Sequence, residues 1–405
     1  MPDKAELLRL VRDASLDADR VGALESALFA GGLHPDAPVV VGALIEYAAA
    51  GEADDAESLL LTVAQVVDML PEPTAAAALR PHRKKVLGLL AGPDPETTET
   101  AAGLLGSCGV DPALAARLRV VADAPETDAW LRSTAMVSAA RLDPAAAARW
   151  LPAQLDSPRA VAALDAMRTI GLPPPPTSAA ALARAWAADS EQASPHSLTK
   201  LVRYVGDYSV LPAIAGVGDD RARSDVASAL GALHALEPLS PELTDLLLAL
   251  LDDSAVEVRR RAYQVVVFDA ALSRRAADRL ATDLSRGDRA RPGAMYALID
   301  IGDDRWQPFA GQALREGWAP PNLSAALVSA GLPWAQLREG VLRRIEAIVA
   351  GVPMPIRRRI DELRNLVLVA DRSGDATARA EVGRLLERAD EVDKMIMRRA
   401  FQQTD

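Results

Sequence analysis

Residues 242–271 read ELTDLLLALLDDSAVEVRRRAYQVVVFDAA, and this stretch decides the fold class. Leu243, Leu246, Leu247, Leu250 and Leu251 recur at three- and four-residue steps. The first half therefore predicts an amphipathic helix whose apolar face is too wide to be buried by the helix itself. Asp252, Asp253 and Ser254 follow as a tight polar turn, and their side-chain oxygens suit the free amides of a second helix. In that helix Val258, Ala262, Val265 and Val266 again mark one face. Two helices with two uncovered faces have no independent core, so the unit needs similar neighbours.

Those neighbours are present from residue 86 onward. The phrases VLGLLAGPDPETTETAAGLLGSCG (86–109), LPAQLDSPRAVAALDAMRTIG (151–171), LATDLSRGDRARPGAMYALIDIG (280–302) and AGQALREGWAPPNLSAALVSAG (310–331) each read as helix, acidic or proline turn, helix. Taking second-helix ends at Gly109, Leu142, Gly171, Gly206, Leu236, Ala270, Gly302 and Gly331 gives steps of 29 to 35 residues, a period near 32. Aligned on the small-apolar pairs Ser138-Ala139, Ala229-Leu230, Val265-Val266 and Ala297-Leu298, four arginines fall at one register position: Arg132, Arg223, Arg259 and Arg291.

A leucine-rich first helix, an acidic turn and a second helix opening on apolar-Arg resemble a HEAT repeat. The short period is similar to the short bacterial HEAT variety, of the kind named after bilin lyases, more than to repeats of ~40–47 residues. The tryptophan-glycine-tyrosine pattern of tetratricopeptide arrays and the TPLH phrase of ankyrin arrays are absent. The resemblance covers residues 86–331 and implies an all-α, right-handed α-solenoid, a superhelix of stacked antiparallel helix pairs. It also implies a structural ladder in which the register arginine pairs with a turn aspartate, and Asp253, six residues before Arg259, stands in that place. Thr98, Ala160 and Pro195 occupy the arginine position in other repeats, so the ladder is expected to be broken in the first half.

Composition agrees with a helical stack. Half of the 405 residues are hydrophobic but only 4% are aromatic, and Ala, Leu and Val carry the apolar content, which suits close-packed helices over sheets. The single cysteine, Cys108, excludes an internal disulfide framework and reads as a small buried hydrophobe. The N-terminus has no continuous apolar core, and no stretch of about 18 apolar residues free of charge occurs, so a cytoplasmic protein is expected. Net charge is −11, of which −10 lies in residues 1–79. Such acidity repels a phosphate backbone and keeps helix faces solvated.

Three sections are expected: an acidic N-terminal pair of helical hairpins over 1–85, with helices near 3–14, 17–30, 36–50 and 52–70; the repeat array over 86–352, with a proline-rich connection at 172–177; and a helical cap over 353–405. Pro173 to Pro176 cannot lie inside a helix. The tail keeps helical spacing through Ile360, Leu363, Val367 and Ala370, then Val382, Leu385, Ala389, Val392 and Ile396. A hairpin cap is the first reading and a dimerisation helix the second, so a monomer or a weak homodimer is expected.

Catalytic motifs are missing. The histidines, His34, His82, His196 and His234, are far apart with no partner at i+3 or i+4, and Gly216-Val217-Gly218 lacks both a preceding strand and a third glycine. No metal or cofactor is expected. A glycosylase-like solenoid would carry cations just after the ladder arginine, but that position holds Ser133, Ser224, Arg260 and Pro292. Nucleic-acid binding or glycosylase-like chemistry is thus the alternative, and a lyase the next. The preferred reading is a non-catalytic scaffold whose concave surface binds a protein or peptide. In it Arg260, Gln264 and Phe268 form one stripe at four-residue steps, continued one repeat later by Pro292, Tyr296 and Asp300.

Overall fold

The computed structural model of the chain describes residues 2–50, 55–193, 196–267, 269–286 and 291–386, with 388, 389, 391, 394–396 and 398 beyond them. Every regular element among the described residues is helical, so the chain is all-α. It forms two compact units, residues 1–222 and 223–405.

The first unit opens with Lys4–Leu16 (α1), Val21–Phe29 (α2), Ala37–Ala50 (α3) and Ala56–Met69 (α4). The expected start of the fourth helix, at residue 52, lies outside the described residues. Asp3 and Asp55 cap α1 and α4, accepting from the amides of Glu6 at 2.9 Å and Ser58 at 3.0 Å and so satisfying amides that a helix start leaves free. The stack continues with Pro95–Gly106 (α5), Pro112–Asp123 (α6), Ala129–Leu142 (α7) and Ala160–Thr169 (α8). α7 packs on α5, α6 and α8, burying Ala135, Met136, Ala139 and Ala140 completely or nearly so. Small residues set that spacing. At Gly106 a Cβ would stand 2.8 Å from Ser138 Cβ and 2.9 Å from its Cα, so only glycine lets α5 approach α7 this closely. Pro173 to Pro176 lie in the connection between α8 and Ser178–Ala188 (α9).

In the second unit, the two helices expected within residues 242–271 are present as Pro241–Leu250 (α10) and Val256–Val266 (α11). Leu243, Leu247, Leu250 and Leu251 are buried, while Leu246 is half-buried and Leu248 takes a place in the core instead. Ala270–Arg286 (α12), Arg291–Asp300 (α13), Ala310–Glu316 (α14), Leu323–Ala330 (α15), Trp334–Val349 (α16), Ile356–Arg372 (α17) and Ala376–Leu386 (α18) follow. α11 packs beside α13, α13 beside α15 and α15 beside α17; α14 packs on α16 and α16 on α18. Alternate helices thus make two layers, as stacking of helix pairs requires. Among the described residues no helix is long and apolar enough to cross a membrane.

The turn between α10 and α11 is built differently from the expected cap. Ala255 occupies the N-cap position without a side-chain hydrogen bond. Asp253 instead accepts from the Ala255 amide at 2.8 Å, inside the turn, and its carboxylate is taken by Arg223 of the helix Asp220–His234, one repeat back.

Candidate binding groove in the second unit

The second-layer helices expose a groove of about 450 Å³. Arg260, Tyr263, Gln264 and Val267 line it from α11 and its end, Pro292, Gly293 and Tyr296 from α13, Ala319, Pro320 and Pro321 from the connection before α15, and Arg358 from α17. Tyr263 is almost wholly buried and forms floor; Gln264 and Arg358 are exposed. A neighbouring groove of about 590 Å³ shares Pro321 and Arg358 and adds Arg357, Asp361, Glu362 and Asn365 from α17. The surface is therefore continuous from α11 to α17.

Four residues of the stripes read from the sequence, Arg260, Gln264, Pro292 and Tyr296, meet in the first groove. Asp300 is exposed and does not line it. Phe268 lies outside the described residues. Tyr263, Val267, Gly293, Ala319, Pro320, Pro321 and Arg358 are the lining residues that the stripes did not single out. Arg260 is oriented by Glu257, one turn back: its Nε donates to Oε2 at 2.7 Å, its Nη2 reaches Oε1, and Arg261 donates to the same carboxylate at 3.1 Å. Hydrogen bonds from Arg260 draw the Glu257 carboxyl down to about 2.

The register arginines act on backbone as much as on carboxylates. Arg132 donates to Thr127 O at 2.5 Å. Arg259, nearly buried, donates to the main-chain oxygens of Asp253 at 2.5 Å and Ser254 at 2.9 Å, with its Nε 3.5 Å from Asp283. Arg291 donates to Leu284 O at 2.9 Å and lies over the Trp318 ring at 5.3 Å. Arg223 reaches forward one repeat, giving Asp253 two hydrogen bonds of 2.7 and 3.1 Å. Arginines outside that register do similar work. Arg184 donates to Leu155 O at 3.0 Å, and Arg279 to Leu248 O at 2.6 Å, each satisfying a carbonyl about one repeat back.

Groups able to do chemistry are scattered. His82 sits 3.0 Å from Glu46, His196 3.2 Å from Asp165 and His234 3.2 Å from Asp269, each pair one repeat apart, while His34 is tied to Pro2 O and the Asp36 amide. Among the described residues no three His, Cys, Asp or Glu side chains gather where they could hold a metal. Burial pushes the Cys108 thiol up to about 11, which leaves it protonated and inert at neutral pH. A groove of about 500 Å³ in the first unit is lined by Arg132, Arg159 and Arg184, but it also holds Asp156 and Asp189, and Arg159 is already bonded to Asp123 at 2.9 Å.

No protein-family model matches the chain. No curated protein matches it either. Among solved structures it is similar to human deoxyhypusine hydroxylase in complex with glycerol, with 17% identity, 74% of this chain and 95% of that chain covered, and a TM-score of 0.28. It is also similar to an engineered protein, with 18% identity, 99% and 98% covered, and a TM-score of 0.28. Superpositions this loose transfer neither site nor activity to this chain.

Proposed function

We propose that the chain is a non-catalytic scaffold of the HEAT type that binds an extended protein or peptide segment along the groove from α11 to α17. The observation that carries this reading is the convergence of Arg260, Gln264, Pro292 and Tyr296, which share a helical register, with Pro320 and Pro321 on one concave surface. A floor of rings and prolines edged by an amide and guanidinium groups combines apolar contact with a few orienting polar groups. Among the described residues the first groove's lining holds no carboxylate, histidine, thiol or aliphatic hydroxyl, and its phenols, Tyr263 and Tyr296, have no such group beside them to make an acid–base pair or an activated nucleophile. A cytoplasmic protein, monomeric or weakly dimeric through its C-terminal helices, belongs to the same proposal.

The pairing of arginines outside the groove favours this reading over a nucleic-acid track. Arg275 is paired with Asp245 at 2.9 Å, and Arg305 with Asp278 and Asp303, both at 2.6 Å. Such mixed surfaces offer little net attraction to a phosphate backbone.

The test places a photo-crosslinking amino acid at Gln264 of the full chain in its source cells. A defined set of protein adducts is expected. The adducts should disappear when Tyr296→Ala and Arg260→Ala are added, although both variants melt like the parent. Adducts unaffected by those changes would remove the groove as the binding surface.

A further inference from the structure

The four residues that open α17 are Ile356, Arg357, Arg358 and Arg359, with no acid in the first turn, and Pro355 at the N-cap offers no side-chain acceptor. A helix N-terminus carries partial positive charge, so carboxylates are stabilising there and arginines are not. The helix dipole therefore gives no reason for Arg357 and Arg358, and local conflicts of that kind tend to mark functional positions.

Two of the three arginines face the groove. Arg358 lines both parts of it and Arg357 the second part. Among the described residues Arg357 has no ion-pair partner. Arg358 comes only within 3.8 Å of Glu362, whose two oxygens are already held by Arg344 at 2.6 and 3.2 Å. Of the remaining acids nearby, Glu257 is shared by Arg260 and Arg261, and Asp361 is exposed at the edge of the second part. With Glu362 neutralised by Arg344, the α17 end sets Arg357 and Arg358 against one carboxylate, Asp361, and so keeps a surplus of positive charge on a chain whose net charge is −11.

From this charge placement, and resting on the peptide-groove reading above, we infer that the groove selects an acidic segment. The occupant is an extended stretch whose apolar or proline side chains lie on Pro292, Tyr296, Pro320 and Pro321. Its Asp or Glu carboxylates reach Arg357 and Arg358. Guanidinium groups that are not spent inside the fold can accept a carboxylate in bidentate geometry. The helix sequence that lost the repeat phrase thereby becomes the specificity wall of the groove.

Three fluorescein-labelled peptides of equal length test this on the full chain by anisotropy. They share an alternating Pro/Leu centre and differ in flanks of Asp/Glu, Asn/Gln or Lys/Arg. The acidic peptide should bind roughly tenfold more tightly than the neutral one, the basic one least, and the margin should narrow as salt is added. Arg357→Ala with Arg358→Ala should bring the acidic peptide to the neutral level and leave the neutral one unchanged. Because these arginines oppose the helix dipole, that double variant should melt no lower than the parent, which keeps the comparison interpretable. Equal binding of acidic and neutral peptides, or an acidic advantage that survives the double substitution, would overturn the acidic selection. If Tyr296→Ala still weakened both, the groove itself would stand. Tighter binding of labelled duplex DNA through the same two arginines would overturn both readings.

Discussion

Asp253 shows what a single ladder residue does. Its carboxylate accepts from Arg223 and from the Ala255 amide, and its main-chain oxygen accepts from Arg259, so one turn joins three elements. The Arg223 and Asp253 side chains are 20% and 9% exposed, between a surface pair and a buried one. Asp253→Ala should therefore cost about 2–3 kcal/mol, above the ~0–1 of exposed pairs and at or below the ~3–5 of breaking buried ones. Urea melts with Arg223→Ala in a double-mutant cycle measure it; purely additive losses would mean the pair is not coupled. Burial alone would push the Asp253 carboxyl up, but hydrogen bonds from Arg223 and Ala255 outweigh it and hold the group below the usual aspartate value. A lowered folded-state value means that the stabilisation is complete above about pH 4 and is lost as pH falls through the folded value. The stability gap between the parent and Asp253→Asn should accordingly close in melts taken below about pH 4, and a gap independent of pH would contradict the assignment. The arginine positions were legible from register alone, but their partners were not. A side chain as long as arginine's reaches a carbonyl five to seven residues back, as Arg132 and Arg291 do, or a carboxylate thirty residues on, as Arg223 does, and spacing does not choose between them.

At the scale of elements, the faces of α11 set a ranked series. Ala262 is fully buried and α11 packs on α13, so Ala262→Leu adds methylenes to a filled seam and should cost ~1–3 kcal/mol. Arg260→Ala removes an exposed pair with Glu257 and should change stability by no more than about 0.5 kcal/mol. Melts followed by helical circular dichroism decide the order, and a badly destabilised Arg260→Ala beside an unaffected Ala262→Leu would reverse the faces assigned here. The crossing of α14 and α16 is tighter still. A Cβ on Gly340 would collide with the Gly311 carbonyl oxygen and stand 3.0 Å from Leu314 Cβ, and one on Gly311 would stand 2.6 Å from Gln336 O. Gly340→Ala should therefore cost ~1–3 kcal/mol by forcing the two backbones apart, and a variant that melts like the parent would refute this close approach. Helix periodicity revealed these elements because an apolar stripe is a local property. The groove was only half legible, since Arg260, Gln264 and Tyr296 repeat at helical steps whereas Pro320 and Pro321 come from a connection and Arg358 from a helix without the repeat phrase.

For the whole molecule, the relevant property is that helices touch those one or two places away in chain order. In the second unit α11 meets α13, α13 meets α15 and α15 meets α17; in the first, α7 meets α5, α6 and α8. Stability in such a stack is close to a sum of each pair's own terms and its interfaces with neighbours, so damage should stay near its source. Leu250 is 5% exposed, and Leu250→Ala should cost ~2–5 kcal/mol through lost burial and a cavity. Hydrogen exchange on the full chain can locate that loss. Amides of α10 to α13 should exchange faster in the variant, while those of α5 and α7, which belong to the other compact unit, keep the parent's protection. Equal acceleration in α5, α7 and α11 would show that all 405 residues open as one cooperative body. The additive account of the stack, and with it the expectation that groove variants act locally, would then fail.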